Sequence, residues 1–161
     1  MFKILIFVTL IFLIINSITA KKCNPITETE VKALWKTWNA ALQTLIPKKV
    51  AELYHADSIL LPTLSNKVRT DNQTKIDYFV EFLAKKPVGT IKEDYVNVVS
   101  KDTALYNGIY AFEFTPQAKS DARFTYVYTC ENGEWKIKTH HSSLMPEIPK
   151  IPETDSNKKL I

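Results

Sequence analysis

Cysteine and glycine are both scarce in this chain of 161 residues, which has two cysteines and three glycines. No Cys-x-x-Cys pair occurs, which excludes the common zinc-finger and thioredoxin-type sites. No Gly-x-Gly-x-x-Gly or Gly-x-x-x-x-Gly-Lys occurs either, which argues against a phosphate-binding loop. The length suits one domain that buries its own hydrophobic core.

Neither sign of charge dominates, since the chain has 21 lysines and arginines and 17 acidic residues, for a net charge of +4. The basic residues are spread among the acids, whereas a nucleic-acid-binding face needs them clustered. The sequence therefore predicts no nucleic-acid partner. It also predicts no metal and no cofactor, because no third metal ligand accompanies the histidine pair near the C-terminus.

A long hydrophobic run occurs at the N-terminus, where Ile4–Ile15 is interrupted by Thr9 alone. A lysine precedes the run, and the small or polar residues Asn16–Ala20 follow it. This pattern is typical of a cleaved secretory signal peptide over residues 1–20. The run is shorter than the ~20 apolar residues of a spanning helix. We therefore expect export to the periplasm or the medium, with a cut near Ala20 and no membrane anchor afterwards; the bulky Ile18 leaves an uncleaved anchor as the alternative.

Export changes the interpretation of the two cysteines, because an oxidising compartment permits a disulfide. We predict that Cys23 and Cys130 are joined. The bond closes a loop of about 100 residues. Closing such a loop stabilises the fold by about 4–5 kcal/mol in the chain-entropy model. The alternative is two unpaired thiols that never meet.

Three helices are predicted in the first half of the mature chain. Thr27–Glu30 reads as a capping box, and apolar residues at helical spacing follow it for about 18 residues. Pro47 begins a short second helix. Thr70–Gln73 reads as a second capping box before a third helix that ends near Pro87.

Strands dominate the second half, where the hydrophobic period changes from helical spacing to two. Four antiparallel strands follow residue 88, after an earlier buried strand at Ser58–Leu61. In the last strand, Trp135, Ile137 and His141 are expected to share one face. Helices first and a strand meander later predict an α+β fold, in which a curved sheet wraps the helices and leaves a hollow.

Several segments together resemble the nuclear transport factor 2-like superfamily. The resemblance is to its SnoaL-like, SgcJ/EcaC branch, which is related to the association domain of calcium/calmodulin-dependent protein kinase II. It covers nearly the whole mature chain. The segments that carry it are Leu60–Thr70, Asp77–Phe79, Phe82–Pro87, Ala122–Tyr126, Gly133–Ile137, His140–Ser143 and Met145–Glu147.

The resemblance implies a cone over residues 24–147, with three helices packed on a strongly bent sheet and a pocket between them. It also implies dimers or larger rings through the outer face of the sheet. Residues 148–161 are rich in proline and predict an extended tail. The resemblance implies no particular reaction, because the superfamily contains isomerases, dehydratases, hydrolases and non-catalytic hubs.

Arg69 and Arg123 are the two arginines of a chain with 19 lysines. Arginine offers a planar, permanently charged fork for a carboxylate or phosphate, so both are candidates for binding an anion in the pocket. The alternative is that each pairs with an acid such as Asp71, Asp121 or Glu113.

His140 and His141 are adjacent on a strand, so their side chains point to opposite faces. His141 shares its predicted face with Ile137 and is therefore the better pocket candidate, as a ligand contact or a weak candidate for an acid–base group. The alternative is a hydrogen-bonded histidine at the edge of the core.

Trp38, Tyr110 and Tyr126 complete the candidate ligand-binding residues, because the residues that wall a cone pocket also build its core. The favoured hypothesis is a pocket that binds a small, anionic and partly apolar molecule in an oligomeric protein. One alternative is a non-catalytic assembly hub, and the other is an isomerase, dehydratase or hydrolase. The strand Ile59–Pro62 has no carboxylate, which counts against a ketosteroid-type isomerase.

Overall fold

The computed structural model describes residues 21–63, 65–116 and 118–146, and this part of the chain contains three helices and five strands. The arrangement is the predicted α+β fold. In chain order the elements are α1 (Glu28–Gln43), α2 (Pro47–Ala51), β1 (Tyr54–Leu61), α3 (Asn72–Leu83), β2 (Val88–Ser100), β3 (Thr103–Phe114), β4 (Ala118–Glu131) and β5 (Glu134–Leu144).

Helix α1 begins at the predicted capping box. The amide of Thr27 donates to Glu30 Oε2 at 2.8 Å, and the amide of Glu30 donates to Thr27 Oγ1 at 3.3 Å. These bonds satisfy two amides that the helix itself leaves unpaired. The buried face of the helix includes Trp35 and Trp38.

Helix α3 begins one residue later than the sequence pattern indicates. Asp71, and not Thr70, is the N-cap, and its carboxylate accepts from the amide of Thr74 at 2.8 Å. Asp71 has an extended backbone, as an N-cap requires.

The five strands form one mostly antiparallel, curved sheet in the order β1-β5-β4-β3-β2, in which β1 runs parallel to β5. Strand β1 begins at Tyr54 rather than Ser58, so Tyr54 belongs to the sheet and not to the second helix. A bulge lies in β2 between Ile91 and Glu93. It faces Gly108 of β3, where a Cβ would lie 2.0 Å from the carbonyl oxygen of Glu93. The bulge in β2 thus lies opposite a glycine that leaves room for it.

The core lies between α1, α3 and the inner face of the sheet. Trp38 packs edge-on against Phe112 and Tyr126, with ring centres 6.3 Å and 5.8 Å apart. Aromatic rings supply most of this inner face, which makes its packing strongly directional. Within the described ranges, no helix has the length and apolarity to cross a membrane.

Cys23 and Cys130 are joined by a disulfide, which confirms the predicted pairing. Their Cα atoms lie 6.0 Å apart. The bridge attaches the segment before α1 to the end of β4, and Ile26 of that segment is buried in the core.

Candidate functional site

A cavity of about 140 Å³ lies between α3, the end of β1 and the inner face of β3, β4 and β5. Most of its wall is apolar and aromatic, and a smaller part carries polar side chains. The apolar residues include Leu60, Phe79, Phe82, Phe112 and Phe114, and the polar residues include Thr63, Ser65, Tyr110, His140 and Ser142. An apolar cavity with a few convergent polar groups is the usual form of a small-molecule site.

Three hydroxyl groups in this cavity form a connected chain. The Tyr110 hydroxyl donates to Ser142 Oγ at 2.5 Å, and Ser142 Oγ is hydrogen-bonded to Thr63 Oγ1. Because Ser142 accepts from Tyr110, its own hydrogen is available to Thr63. Burial raises the pKa of the Tyr110 hydroxyl, which therefore stays a protonated donor.

His140 is held by a second hydrogen-bonded chain behind the cavity wall. Trp38 Nε1 donates to the Tyr54 hydroxyl at 3.0 Å, and that hydroxyl lies 2.8 Å from His140 Nδ1. An indole N–H only donates, so the Tyr54 oxygen accepts and its hydrogen is left to donate to Nδ1. The arrangement favours the neutral imidazole with its hydrogen on Nε2.

The surroundings of His140 keep the imidazole uncharged. The ring is buried and stacks on Tyr126 with ring centres 4.0 Å apart. Burial, with a smaller contribution from the nearby His141, lowers the pKa of His140 from 6.5 to about 3. His140 Nε2 is buried and has no hydrogen-bond partner among the described residues. The site therefore contains a neutral donor, His140 Nε2, that has no acceptor among the described residues.

The structure corrects the predicted placement of the histidine pair, because His140 lines the cavity and His141 is exposed. The cause is a bulge in β5: Val127 pairs with Thr139, but the next residue of β4 pairs with Ile137. Lys138 is therefore an extra residue that shifts the alternation of side chains by one position. Ile137 and His140 share the inner face, and His141 does not.

The structure separates the two candidate arginines. Arg123 is exposed on the outer face of β4, away from the cavity, and has no ion pair among the described residues. Arg69 lies against the cavity wall. Its Nη2 donates to Ser65 Oγ at 3.2 Å, and its guanidinium lies 5.9 Å from the centre of the Tyr78 ring. Ser65 and Tyr78 both line the cavity, so Arg69 places a positive charge beside it.

The predicted aromatic residues lie at or beside the cavity. Trp38 and Tyr110 line it, and Tyr126 lies beneath His140. The sequence reasoning missed Thr63 and Ser142, although both belong to segments that carry the family resemblance. No group of three histidine, cysteine, aspartate or glutamate residues in the described ranges is arranged to hold a metal ion.

Comparison with known proteins assigns the chain to a family. The model of the calcium/calmodulin dependent protein kinase II association domain matches residues 27–146. The chain belongs to this association-domain family. A putative association domain of the same kind from Xanthomonas campestris is 45% identical and covers 81% of this chain and 97% of its own, with a TM-score of 0.74. No curated protein matches the chain.

More distant structures share the fold of this association-domain chain. The iota-carbonic anhydrase of a cyanobacterium, solved with bicarbonate, is 22% identical over 79% of this chain and 97% of its own, with a TM-score of 0.70. A putative dehydratase of the NTF2-like family from Streptomyces avermitilis is 15% identical over 74% of this chain and 96% of its own, with a TM-score of 0.63. These likenesses agree with the resemblance to the nuclear transport factor 2-like superfamily.

Proposed function

We propose that the cavity binds bicarbonate and carbon dioxide and interconverts them. The observation that carries this proposal is the chain of hydroxyls of Tyr110, Ser142 and Thr63 beside the neutral imidazole of His140. A fold neighbour with 22% identity is a carbonic anhydrase that holds bicarbonate, which supports the choice of reaction.

The polar part of the cavity suits bicarbonate. Bicarbonate presents three oxygen atoms that accept hydrogen bonds. His140 Nε2 has no partner among the described residues, and the chain of three hydroxyls has one hydrogen left to donate. Arg69 beside the wall adds a positive charge that favours an anion. Bicarbonate is small and anionic, as the sequence hypothesis expects, but it lacks the apolar part of the ligand expected there. Arg69 is retained as a contributor, and Arg123 lies on the outer face.

The apolar part of the cavity suits carbon dioxide. Carbon dioxide has no hydrogen to donate, so the phenylalanine-rich wall accepts it without leaving a polar group unpaired. In the reaction, a water oxygen bonds to the carbon, one C=O electron pair moves onto oxygen, and one proton leaves. The fixed donors hold the reactants together and stabilise the negative charge that develops on oxygen.

The test is isotope exchange between carbon dioxide and bicarbonate at equilibrium, measured on the purified mature protein. We expect exchange well above the uncatalysed rate. Tyr110→Phe and Ser142→Ala each remove one positioned hydroxyl and should reduce the rate by about 100-fold or more. Absence of exchange by folded wild-type protein would overturn the proposal.

Ser143→Ala supplies the matched control. Ser143 follows Ser142 on β5 and does not line the cavity, so this change should leave the exchange rate close to that of wild type. An equal loss in the Ser142 and Ser143 variants would mean that the strand, and not the hydroxyl, determines the rate.

We also propose that the protein self-associates through the outer face of the sheet. Tyr95 and Val99 on the edge strand β2 are 60% and 61% exposed, which leaves apolar surface to be covered. A non-catalytic hub is the second candidate function, and this surface is the observation that favours it. Native mass spectrometry gives the subunit number, and a protein that stays monomeric at high concentration argues against assembly.

Export remains part of the proposal. The signal-peptide assignment of residues 1–20 and the tail assignment of residues 148–161 lie outside the described residues and stay predictions. The disulfide between Cys23 and Cys130 supports an oxidising compartment. N-terminal sequencing of the secreted protein should begin near Lys21, and an uncut N-terminus would favour the anchored alternative.

A further inference from the structure

Hydration of carbon dioxide releases one proton per turnover, and the described residues that line the cavity include no buried group that accepts it at neutral pH. This inference rests on the proposed function. Burial lowers the pKa of His140 to about 3 and raises the pKa of Tyr110, so neither group takes up a proton at neutral pH. Glu81 is the one carboxylate among the described residues that line the cavity, and it is exposed to solvent.

A second pocket lies directly behind the hydroxyl chain. This outer pocket has a volume of about 330 Å³ and is formed by residues 61–63, 65–68 and 141–144. Thr63 and Ser142 line both the cavity and the outer pocket. Their hydrogen bond is therefore part of the wall that the two spaces share.

The hydrogen bonds offer a path toward the outer pocket. Tyr110 donates to Ser142, and because a hydroxyl oxygen has a second lone pair and one hydrogen, the bond between Ser142 and Thr63 can run in either direction. When Ser142 is the donor, the Thr63 hydrogen is free for a water molecule in the outer pocket. Connected hydroxyls pass a proton by each giving one hydrogen as it accepts another, with no charged intermediate that needs burial.

His141 is exposed and lines the outer pocket. Histidine is the side chain that ordinarily gains and loses a proton near neutral pH. The charged groups around it are Lys67 in the same pocket, Arg123 diagonally opposite on β4, and no carboxylate among the described residues lining the pocket. His140 on the inner face stays neutral. No carboxylate among the described residues of the pocket therefore stabilises the protonated form of His141.

We propose that His141 is the proton acceptor that connects the cavity to solvent. The attacking water gives its proton to the Ser142 hydroxyl, which gives its own proton to Thr63. Thr63 in turn gives a proton to a water molecule in the outer pocket, and this water delivers a proton to His141. His141 then releases it to a buffer base. The balance is one carbon dioxide and one water converted to one bicarbonate, with one proton transferred to buffer.

The experiment compares two rates in wild type and His141→Ala. Steady-state hydration in weak buffer should fall by roughly 10-fold to 100-fold in the variant, because proton export becomes limiting. Added imidazole should restore it by replacing the missing acceptor. Isotope exchange at equilibrium needs no net proton export and should be unchanged.

Asn66→Ala is the matched control, since Asn66 lines the outer pocket and carries no ionisable group. It should leave both rates unchanged. If the His141 variant shows no buffer-dependent loss, or if Glu81→Gln shows the imidazole-rescued loss instead, this inference is overturned while the proposed function stands. If wild type shows no equilibrium exchange, the proposed function itself fails.

Discussion

His140 carries no charge at neutral pH, because burial lowers its pKa from 6.5 to about 3. In the proposed site the imidazole is therefore a hydrogen-bond donor and not a base. Two contacts among the described residues fix the neutral ring: a hydrogen bond from the Tyr54 hydroxyl and stacking on the Tyr126 ring. Under the proposed function, this fixed neutral imidazole is part of the wall that binds the anion.

Stability should fall as the pH is lowered from about 6.5 toward about 3. In this window the unfolded chain protonates His140 while the folded chain does not, so the unfolded state binds more protons. The free energy of unfolding then decreases by up to about 1.4 kcal/mol per pH unit, and the full contribution is present above pH 6.5. Urea unfolding at a series of pH values measures this slope. His140→Gln should have a shallower slope, and equal slopes would contradict the pKa direction.

Tyr54→Phe should destabilise the fold and impair the site together. The change removes the hydroxyl that joins Trp38 Nε1 to His140 Nδ1 and leaves two buried polar atoms unpaired. We expect a loss of about 1–3 kcal/mol in the free energy of unfolding, measured by urea unfolding. The ¹⁵N shifts of His140 should also show loss of the single tautomer. Tyr95→Phe, which alters an exposed tyrosine, is the control. An unchanged tautomer in the Tyr54 variant would show that the Tyr54 hydroxyl does not set the position of the hydrogen on His140.

Lys75 connects two elements, α3 and the irregular part of β1. Its ammonium group is fully buried and donates to the carbonyl oxygen of Ser58 at 2.9 Å, to Ser58 Oγ at 2.6 Å and to the carbonyl oxygen of His55 at 3.3 Å. The register of β1 shifts between Tyr54 and Ile59, so its carbonyl groups there do not all meet a neighbouring strand. Desolvation lowers the pKa of Lys75, and the carbonyl oxygens stabilise the charge that remains.

Lys75→Met should cost about 2–3 kcal/mol in the free energy of unfolding, because the methylene packing remains but several buried acceptors lose their donor. The same substitution at the exposed Lys36 of α1 is the matched control and should change stability by less than about 0.5 kcal/mol. Thermal unfolding of both variants measures the difference. Equal effects at Lys75 and Lys36 would show that the ammonium does not stabilise β1.

Strand β5 shows why an element can be predicted while its orientation is not. The alternation in the sequence from Trp135 onward predicts a strand, and β5 is one. The bulge at Lys138 depends on how β4 and β5 pair, and the alternation along β5 alone does not fix that register. Strand β4 is regular around Arg123. Because Phe124 and Tyr126 point into the core, the alternation of side chains predicts that Arg123 points to the outer face.

At the scale of the whole molecule, the disulfide joins two positions 107 residues apart. The double substitution of Cys23 and Cys130 by serine should therefore lower the free energy of unfolding by about 4–5 kcal/mol in the chain-entropy model. Urea unfolding of the oxidised protein and the variant measures the loss. Wild type treated with reductant is the control and should approach the variant, and an unchanged midpoint in the variant would show that the bridge adds no stability.

The α+β class, the order of helices and strands, the capping box of α1 and the cysteine pairing could all be predicted from the sequence. Each depends on local periodicity, on local hydrogen bonds or on there being two cysteines to pair. Parts of the candidate site were also accessible, since Trp38, Tyr110 and Tyr126 belong to the apolar pattern that builds the core.

Which polar groups meet in the cavity depends on the packing of the folded chain. Thr63, Tyr110 and Ser142 come from a loop and two strands, and their hydroxyls converge because the curved sheet brings β3 and β5 against the end of β1. The choice of His140 over His141 depended on one extra residue in the β4–β5 pairing. Register between strands is a non-local property, so no pattern along a single strand contains it.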